Sequence, residues 1–212
     1  MRVLTSLTDP RLGGPQIRSL AVAKELRSKG IETVFLLPNG EDEFDQMASD
    51  SGFTVRRPGL SRIKPPREIV DNLRYGTTFP LAVQRIRRVI TEEDIDVVHA
   101  NMPVNYQTAV ATAFSDAQLV WHFNDTSAPG FLARFSARVA GAFADNIVVA
   151  ANAVDRYYFE NVSVDTTPLY APVDVNEFDP ATVQTGRKYL EEELNIQIDG
   201  PVIGAVGNVN PI

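Results

Sequence analysis

The sequence contains no cysteine. Disulfide bonds, cysteine-ligated metal centres and thiol nucleophiles are therefore excluded as sources of stability or chemistry. Histidine is scarce as well, because His99 and His122 are the only two among 212 residues. Two histidines far apart in the chain do not indicate a metal site, and we expect none.

Long apolar runs and a basic excess are also missing. No stretch approaches the roughly 18 apolar residues needed to span a bilayer, and Met1–Leu4 leads into a short strand without the apolar core of a signal peptide. We therefore expect a cytoplasmic protein. Acidic residues outnumber basic ones by 27 to 20, which gives a net charge of −7. Because nucleic acid binds basic surfaces, this balance argues against a nucleic-acid partner.

The apolar residues that are present form short runs that alternate with helical patterns. A strand over Arg2–Ser6, a helix from Pro15 to Gly30 and a strand over Ile31–Leu37 form a β-loop-α-β unit, which makes a right-handed parallel crossover. The alternation continues with predicted helices Glu43–Asp50, Leu81–Glu93, Asn105–Phe114, Phe131–Ala144 and Ala153–Glu160, and predicted strands Phe53–Arg57, Ile95–Ala100, Ala117–His122, Asn146–Ala151 and Thr167–Ala171. Nearly continuous apolar strands predict an α/β fold with a Rossmann-like parallel sheet and helices on both faces.

The character of the sequence changes after residue 172. Residues 173–200 are first polar and turn-rich and then helical around Glu191–Glu193, which predicts an interdomain linker and helix. Gly200 and Pro201 then introduce the apolar run Val202–Val206. We therefore expect a Rossmann-like domain over 1–172, the linker over 173–200, and the first strand of a truncated second domain over 201–212.

Both histidines lie at the predicted carboxyl ends of strands, where open α/β sheets bind their ligands. His99 is followed by Asn101, and His122 is followed by Asn124 and Asp125. His122 and Asp125 are close enough in sequence to form an acid/base or positioning pair. Two other interpretations stay open, namely a buried His99 bonded to backbone and a His122 that belongs to an ordinary loop.

Two further candidates follow other predicted strands. Gly13 and Gly14 directly precede the first helix, where backbone N–H groups can face an anion. This pair is neither the Gly-x-Gly-x-x-Gly fingerprint nor a Walker motif, so no nucleotide cofactor is indicated, and a tight turn explains it equally well. Asn152 follows the strand Asn146–Ala151.

The segment Arg56–Arg74 is locally basic on an acidic chain. Apolar residues and a proline pair separate its six basic residues, which are Arg56, Arg57, Arg62, Lys64, Arg67 and Arg74. Such a segment can meet an anionic acceptor or make peripheral contact with the inner membrane surface. A solvated surface explains it more simply, and we favour that interpretation.

Several segments match the motifs of a known family in order and spacing. They are Gly13-Gly14 with the helix and strand that follow, the Asp-Val-Val-His run in Ile95–Ala100, Val120–Asp125, Asp145–Asn152, Pro172–Pro180 and Val202–Asn210. Together they resemble the N-terminal domain of GT-B fold glycosyltransferases of the retaining family-4 type. The resemblance extends over essentially the whole chain.

The resemblance implies that a sugar passes from a nucleotide-sugar donor to a carbohydrate or lipid-linked acceptor, with retention at the anomeric carbon. The N-terminal half would supply the acceptor cleft, and Gly13 and Gly14 would approach the donor diphosphate through backbone N–H groups. His122 would be the catalytic residue, in contact with the transferred sugar. The remaining substrate-side candidates are His99, Asn101, Asn124, Asp125 and Asn152. The family needs neither a cofactor nor a metal here, since the nucleotide-sugar is a substrate.

Two alternatives remain. A nucleotide-sugar epimerase of the same fold would need acidic and histidine acid/base groups around the cleft, and the sequence offers only His99, His122 and Asp125 there. A non-catalytic α/β binding module would need none of them. Both are less well supported by the motifs than the transferase.

Overall fold

The structure is a computed structural model that describes residues 1–40, 43–65, 67–172, 175, 179 and 183–203. The chain divides into two compact units, Met1–Ala171 and Pro172–Ile212. Most of the strand predicted over Val202–Val206, and most of the Pro172–Pro180 motif, lie outside the described residues.

A seven-stranded parallel sheet forms the centre of the first unit, in the order β3-β2-β1-β4-β5-β6-β7. The strands are β1 Arg2–Ser6, β2 Glu32–Pro38, β3 Thr54–Leu60, β4 Val97–Asn101, β5 Gln118–Phe123, β6 Asn146–Val149 and β7 Thr167–Pro168. The helices of this unit are α1 Gly14–Ser28, α2 Glu43–Asp50, α3 Ile69–Glu92, α4 Tyr106–Ala113, α5 Gly130–Phe143 and α6 Asn152–Phe159. The predicted fold class is confirmed.

Strand β2 shows that both faces of the sheet are covered. Val34 and Leu36 belong to the larger apolar cluster, together with residues of α3, α4, α5 and α6. Phe35 and Leu37 belong to a separate cluster with residues of α1 and α2. Since consecutive side chains of a strand point to opposite faces, the continuous apolar run of β2 fills two cores at once.

The strand order reverses between β1 and β4. From β1 the chain proceeds outward through β2 to β3, and α3 then returns it to β4 on the other side of β1. A crevice opens at such a switch point, outside the carboxyl ends of the two strands. His99 on β4 lies beside Thr5 of β1 at this point.

The prediction that α3 begins after Pro80 is wrong. The helix begins at Ile69 and runs to Glu92, with Pro80 inside it. Proline cannot donate a backbone hydrogen bond, so it interrupts the helical ladder. The hydroxyls of Thr77 and Thr78 donate to the Arg74 carbonyl at 3.0 and 2.8 Å, adding bonds in the turn before Pro80.

Strand β3 extends further than the sequence predicts, to Leu60 instead of Arg57. Its pairing with β2 shifts register between Leu36 and Pro38, and Gly59 has φ +91°. A bulge with glycine in a left-handed conformation lets the strand continue through Pro58.

The second unit contains helix α7, Val183–Leu194. Arg187 donates to the carbonyls of Ile198 and Gly200 at 3.0 and 3.1 Å. The Glu191 carboxylate accepts from the Ile198 backbone N–H at 2.9 Å, so the helix and the segment after it are held together. In the whole described part of the chain, each helix is too short or too polar to cross a membrane.

Candidate functional site at the carboxyl end of the sheet

The two histidines contact each other at the switch point. Residues 99 and 101 of β4 point to one face of the sheet, and the register places His122 of β5 beside Asn101 on that face. His99 Nε2 lies 3.3 Å from His122 Nδ1, and the ring centroids are 5.4 Å apart. The contact depends on the register in which β4 pairs with β5, so neither strand alone determines it.

Both rings are neutral at neutral pH. Burial, and next the charge of Arg18, lower the pKa of His99 to about 4. Burial also lowers the pKa of His122 to about 3, with His99 and Arg18 adding to the effect. A buried imidazolium beside a second ring and a guanidinium would be poorly solvated and repelled, so the uncharged form is favoured.

The contact between the rings leaves one nitrogen of His122 available. A single proton lies between His99 Nε2 and His122 Nδ1, whichever ring donates it. His122 is only 3% exposed, and its Nε2 has no hydrogen-bond partner among the described residues. A buried polar atom without a partner is uncommon in proteins, and at a ligand crevice it suggests a hydrogen bond to substrate.

A network of amides fixes the strand ends around the pair. Asn124 donates to the Asn101 side-chain carbonyl at 2.6 Å, and Asn124 Oδ1 has no partner among the described residues. Asn105, at the start of α4, donates to the backbone carbonyls of Ser6 and Asn101 at 3.2 and 3.1 Å. These bonds join β1 to β4 at their carboxyl ends.

The glycine pair begins α1. Gly13 is the N-cap residue in extended conformation, and its carbonyl accepts from the N–H groups of Gln16 and Ile17 at 3.1 and 3.0 Å. A Cβ on Gly14 would meet no atom within 4 Å, so Gly14 faces open space. The side chain of Gln16 donates to the Asp9 carbonyl at 2.7 Å and ties the loop to the helix.

Arg18 belongs to the site, although the sequence reading missed it. Its charge acts on both histidines, and burial lowers its own pKa below the ordinary value. No acidic side chain lies within 4.0 Å of it in the described part of the chain, and its guanidinium donates to the Leu169 carbonyl at 3.4 Å. Its position one helical turn after Gly14 is the signal that could have identified it.

The remaining predicted residues do not join the pair. Asp125 accepts from the Ser127 N–H and hydroxyl at 2.9 and 2.7 Å, which stabilises a turn, so the expected His122–Asp125 pairing gives way to the contact with His99. Asn152 is exposed at the first residue of α6. Within the described ranges, no three His, Asp or Glu side chains cluster closely enough to hold a metal ion.

Two cavities open beside the crevice. The α3 cavity, of about 830 Å³, lies between the loops after β1, β2 and β3 and one face of α3. The second cavity, of about 640 Å³, is lined by Met102 after β4, by Asp125 after β5 and by Phe131 of α5. Arg62 and Lys64 line both, so the two cavities are neighbours.

The basic segment Arg56–Arg74 is not one uniform surface. Three of its arginines pair within the protein, since Arg56 contacts Glu93 at 2.5 Å, Arg57 contacts Asp45 at 3.0 Å and Arg62 contacts Asp9 at 3.0 Å. Arg56, Arg67 and Arg74 are exposed, as the interpretation of a solvated surface predicts. The first half is internally neutralised, while Lys64 and Arg74 line the α3 cavity.

Comparison with protein families identifies the domain. Residues 13–169, which include the glycine pair and both histidines, match the model of the glycosyl transferase 4-like domain. The chain belongs to this glycosyl transferase 4-like family. The predicted resemblance to the N-terminal domain of GT-B glycosyltransferases is confirmed. A search of curated proteins found no match.

The fold of this glycosyl transferase 4-like chain recurs in solved structures at low identity. A glycosyltransferase from Rickettsia africae has a TM-score of 0.69 and 18% identity, over 94% of this chain and 51% of that one. HepE from Anabaena in complex with UDP and glucose has a TM-score of 0.65 and 18% identity, over 90% and 50%. The UDP-GlcNAc 2-epimerase from Neisseria meningitidis bound to UDP-GlcNAc has a TM-score of 0.58 and 12% identity, over 92% and 54%. The chain thus spans about half the length of these proteins.

Proposed function

We propose that the chain is the acceptor-side part of a glycosyltransferase that moves a hexosyl group from a nucleotide-sugar to a carbohydrate or lipid-linked acceptor, with retention at the anomeric carbon. The family match supports a transferase, and the shared fold with HepE in complex with UDP supports a nucleotide-sugar donor. The part described here alone would be inactive, because the resemblance assigns the donor pocket to a second domain.

The buried and unpartnered Nε2 of His122 is the observation that carries this proposal. It lies at the switch-point crevice, where the fold places ligands. A neutral imidazole that is held by His99 is already oriented to hydrogen-bond a hydroxyl of the transferred sugar. With a pKa of about 3, the ring works by positioning the sugar and not by carrying a cationic proton.

Gly13, Gly14 and Arg18 form the part of the site that we assign to the donor diphosphate. The open space at Gly14 permits close approach to the start of α1, where the helix dipole favours an anion. Arg18 adds a full positive charge one turn further along the same helix. Charge that develops on the leaving diphosphate would thereby be stabilised.

An epimerase would use the same fold for different chemistry, as the likeness to the Neisseria meningitidis enzyme illustrates. Epimerisation removes and returns a proton, so it needs an acid/base group whose pKa lies near neutrality. Both histidines have pKa values of about 3 to 4, and Asp125 is bound in a turn. The glycosyl transferase 4-like match favours transfer over epimerisation.

We also propose that α3 makes peripheral contact with the inner membrane surface from the cytoplasmic side. Ile69, Val70 and Leu73 at its start are 65, 79 and 65% exposed, and Arg67 and Arg74 flank them. Apolar side chains bordered by cations are typical of helices that lie in a membrane interface. Such contact would suit a lipid-linked acceptor.

Substituting His122 tests the proposed function. We expect His122→Asn in the full-length protein to reduce sugar transfer on the order of 10²–10⁴-fold, measured as nucleoside diphosphate released from a panel of nucleotide-sugars. Thr33→Val is the control, since Thr33 is 5% exposed on β2 and its hydroxyl has no partner among the described residues. Equal turnover in the two variants, at equal folded content, would remove His122 from the site.

A further inference from the structure

The α3 cavity is lined along one side by residues that recur every three to four positions of the helix. Asp71, Arg74, Tyr75, Thr78 and Arg85 all face it. Residues at this spacing share one face of an α-helix. Leu81 and Ala82 also line the cavity, so this face of α3 is polar from Asp71 to Thr78 and apolar before Arg85. The volume of about 830 Å³ is in the range of cavities that hold a small organic ligand.

The charge of the cavity is opposite to that of the chain. Among the described residues, five cationic and two acidic side chains line it, a net charge of +3, whereas the whole sequence carries −7. One of the carboxylates, Asp9, already pairs with Arg11 and Arg62, whose contacts lower its pKa to about 2. The excess cations are thus not neutralised by the cavity's own acids.

Three of the cationic side chains that line the cavity have no carboxylate partner among the described residues. Lys64, Arg74 and Arg85 have no carboxylate within 4.0 Å among the residues that the structure describes, although Asp71 also lines the cavity. The Arg85 guanidinium packs at Gly59, where Nη1 lies 3.3 Å from the position that a Cβ would take. The φ of +91° at Gly59 suits glycine, so the bulge of β3 leaves room for this arginine.

Two buried hydroxyls in the same lining lack partners. Thr8 is 2% exposed and Tyr75 is 9% exposed, and neither hydroxyl has a hydrogen-bond partner among the described residues. Burial raises the pKa of Tyr75, so its hydroxyl stays protonated and can donate. Because buried polar groups are normally paired, two unpaired hydroxyls on residues that line the same cavity as three cations without carboxylate partners suit a ligand with several acceptor oxygens.

We propose that the α3 cavity binds a phosphate group carried by the acceptor substrate, with Lys64, Arg74 and Arg85 as charge partners and Thr8 and Tyr75 as hydroxyl donors. A phosphate has enough acceptor oxygens to engage lysine, arginine and hydroxyl donors together. A soluble sugar phosphate and a phospholipid headgroup share this chemistry. The inference rests on the proposed function, because it names the class of acceptor for the same transferase.

Direct binding of soluble probes to the full-length protein tests the proposal without any donor. We expect inorganic phosphate and glucose 6-phosphate to shift backbone amide signals of residues 59–64 and 71–85 in NMR titrations. The double variant Arg74→Gln/Arg85→Gln should weaken this binding at least tenfold, and Tyr75→Phe should weaken it several-fold. Arg88→Gln is the matched control, since Arg88 lies on the same helix, pairs with Glu92 at 2.7 Å and does not line the cavity.

Vesicles distinguish the two sources of phosphate. Competition between glucose 6-phosphate and phosphatidylinositol vesicles for the protein would support the proposal with a lipid headgroup as the source, and soluble binding alone would support it with a soluble acceptor. The proposal is overturned if neither soluble probe shifts the cavity amides, or if Arg88→Gln weakens binding as much as the double variant. Phosphate binding that is unchanged in Arg74→Gln/Arg85→Gln would also overturn it.

The two proposals can fail separately. Phosphate binding is measured with no sugar nucleotide present, so it can persist in a protein that transfers no sugar. Conversely, sugar transfer could depend on His122 while the acceptor carries no charge. If the KM for that acceptor were then unchanged in Arg74→Gln/Arg85→Gln, only the phosphate assignment would be contradicted.

Discussion

At the scale of single residues, the histidine pair shows how burial sets the chemistry of a side chain. Neither ring contacts a carboxylate within the described residues, and Arg18 adds positive charge nearby. Both effects disfavour the imidazolium, so the pair offers hydrogen bonds of fixed direction and no cationic acid. Retention of a sugar's configuration requires accurate placement of the donor, which an oriented neutral ring can supply.

The depressed pKa values predict a pH dependence of stability. The unfolded histidines titrate near 6.5, while the folded ones titrate at about 4 and about 3, so between these values the unfolded state binds more protons. Stability is therefore fully present above pH 6.5 and is lost as pH falls toward 4. We expect the free energy of unfolding to drop by roughly 4 kcal/mol more in the wild type than in His99→Gln/His122→Gln between pH 6.5 and 4.5, about half of it from each ring.

Urea unfolding at a series of pH values measures this difference. Carboxylates titrate in both proteins, so the difference between the wild type and the double variant reports the histidines alone. Parallel pH profiles in the two proteins would show that the rings are not held neutral by the fold.

The sequence located the histidines but could not show that they touch. Both positions at strand ends follow from the apolar runs that precede them. Their contact depends on the register that pairs Asn101 with His122, and local sequence does not determine register between strands separated by a helix. For the same reason Asp125, which is nearer in sequence, was a plausible partner for His122 and is not its partner in the structure.

At the scale of elements, most strands and the second half of α3 were predictable from the sequence, and the first half of α3 was not. The interior strands are continuous apolar runs because both faces are covered, and this signal needs no tertiary information. The first half of α3 exposes Ile69, Val70 and Leu73 and contains a proline at its end, so neither periodicity nor composition indicates a helix there. As a result, the sequence did not predict that Asp71, Arg74, Tyr75 and Thr78 share one helix face that lines the α3 cavity.

In the loop after β2, the backbone conformation of Gly40 leads us to expect that adding a side chain there destabilises the fold. Its φ is +151°, and a Cβ would lie 2.8 Å from Pro10. We expect Gly40→Ala to lower the free energy of unfolding by about 1–3 kcal/mol in urea titrations.

Gly76→Ala is the matched control for that change. Gly76 lies inside α3 with ordinary helical φ, and a Cβ there would meet nothing within 4 Å. Alanine should stabilise this position by about 0.5–1 kcal/mol, because it restricts the unfolded chain and favours helix. Equal effects at the two glycines would contradict the assigned backbone conformation of the β2 loop.

At the scale of the whole molecule, we propose that the described unit supplies one wall of an active site. The glycosyl transferase 4-like match ends at residue 169, and the solved structures of the same fold are about twice as long. The described unit contains the histidine pair, an arginine in the first turn after the start of α1, and two cavities beside the crevice. The donor's nucleotide would be bound by residues of another domain, as the resemblance implies.

The central claim is that this architecture serves sugar transfer. Proton NMR of the full-length protein with a panel of nucleotide-sugars and phosphorylated acceptors follows the anomeric signal of the donor sugar directly. The account predicts release of nucleoside diphosphate and a glycoside with the donor's anomeric configuration, formed far more slowly by His122→Asn. A sugar that stays attached to its nucleotide with one ring carbon inverted would contradict it, because that product identifies an epimerase.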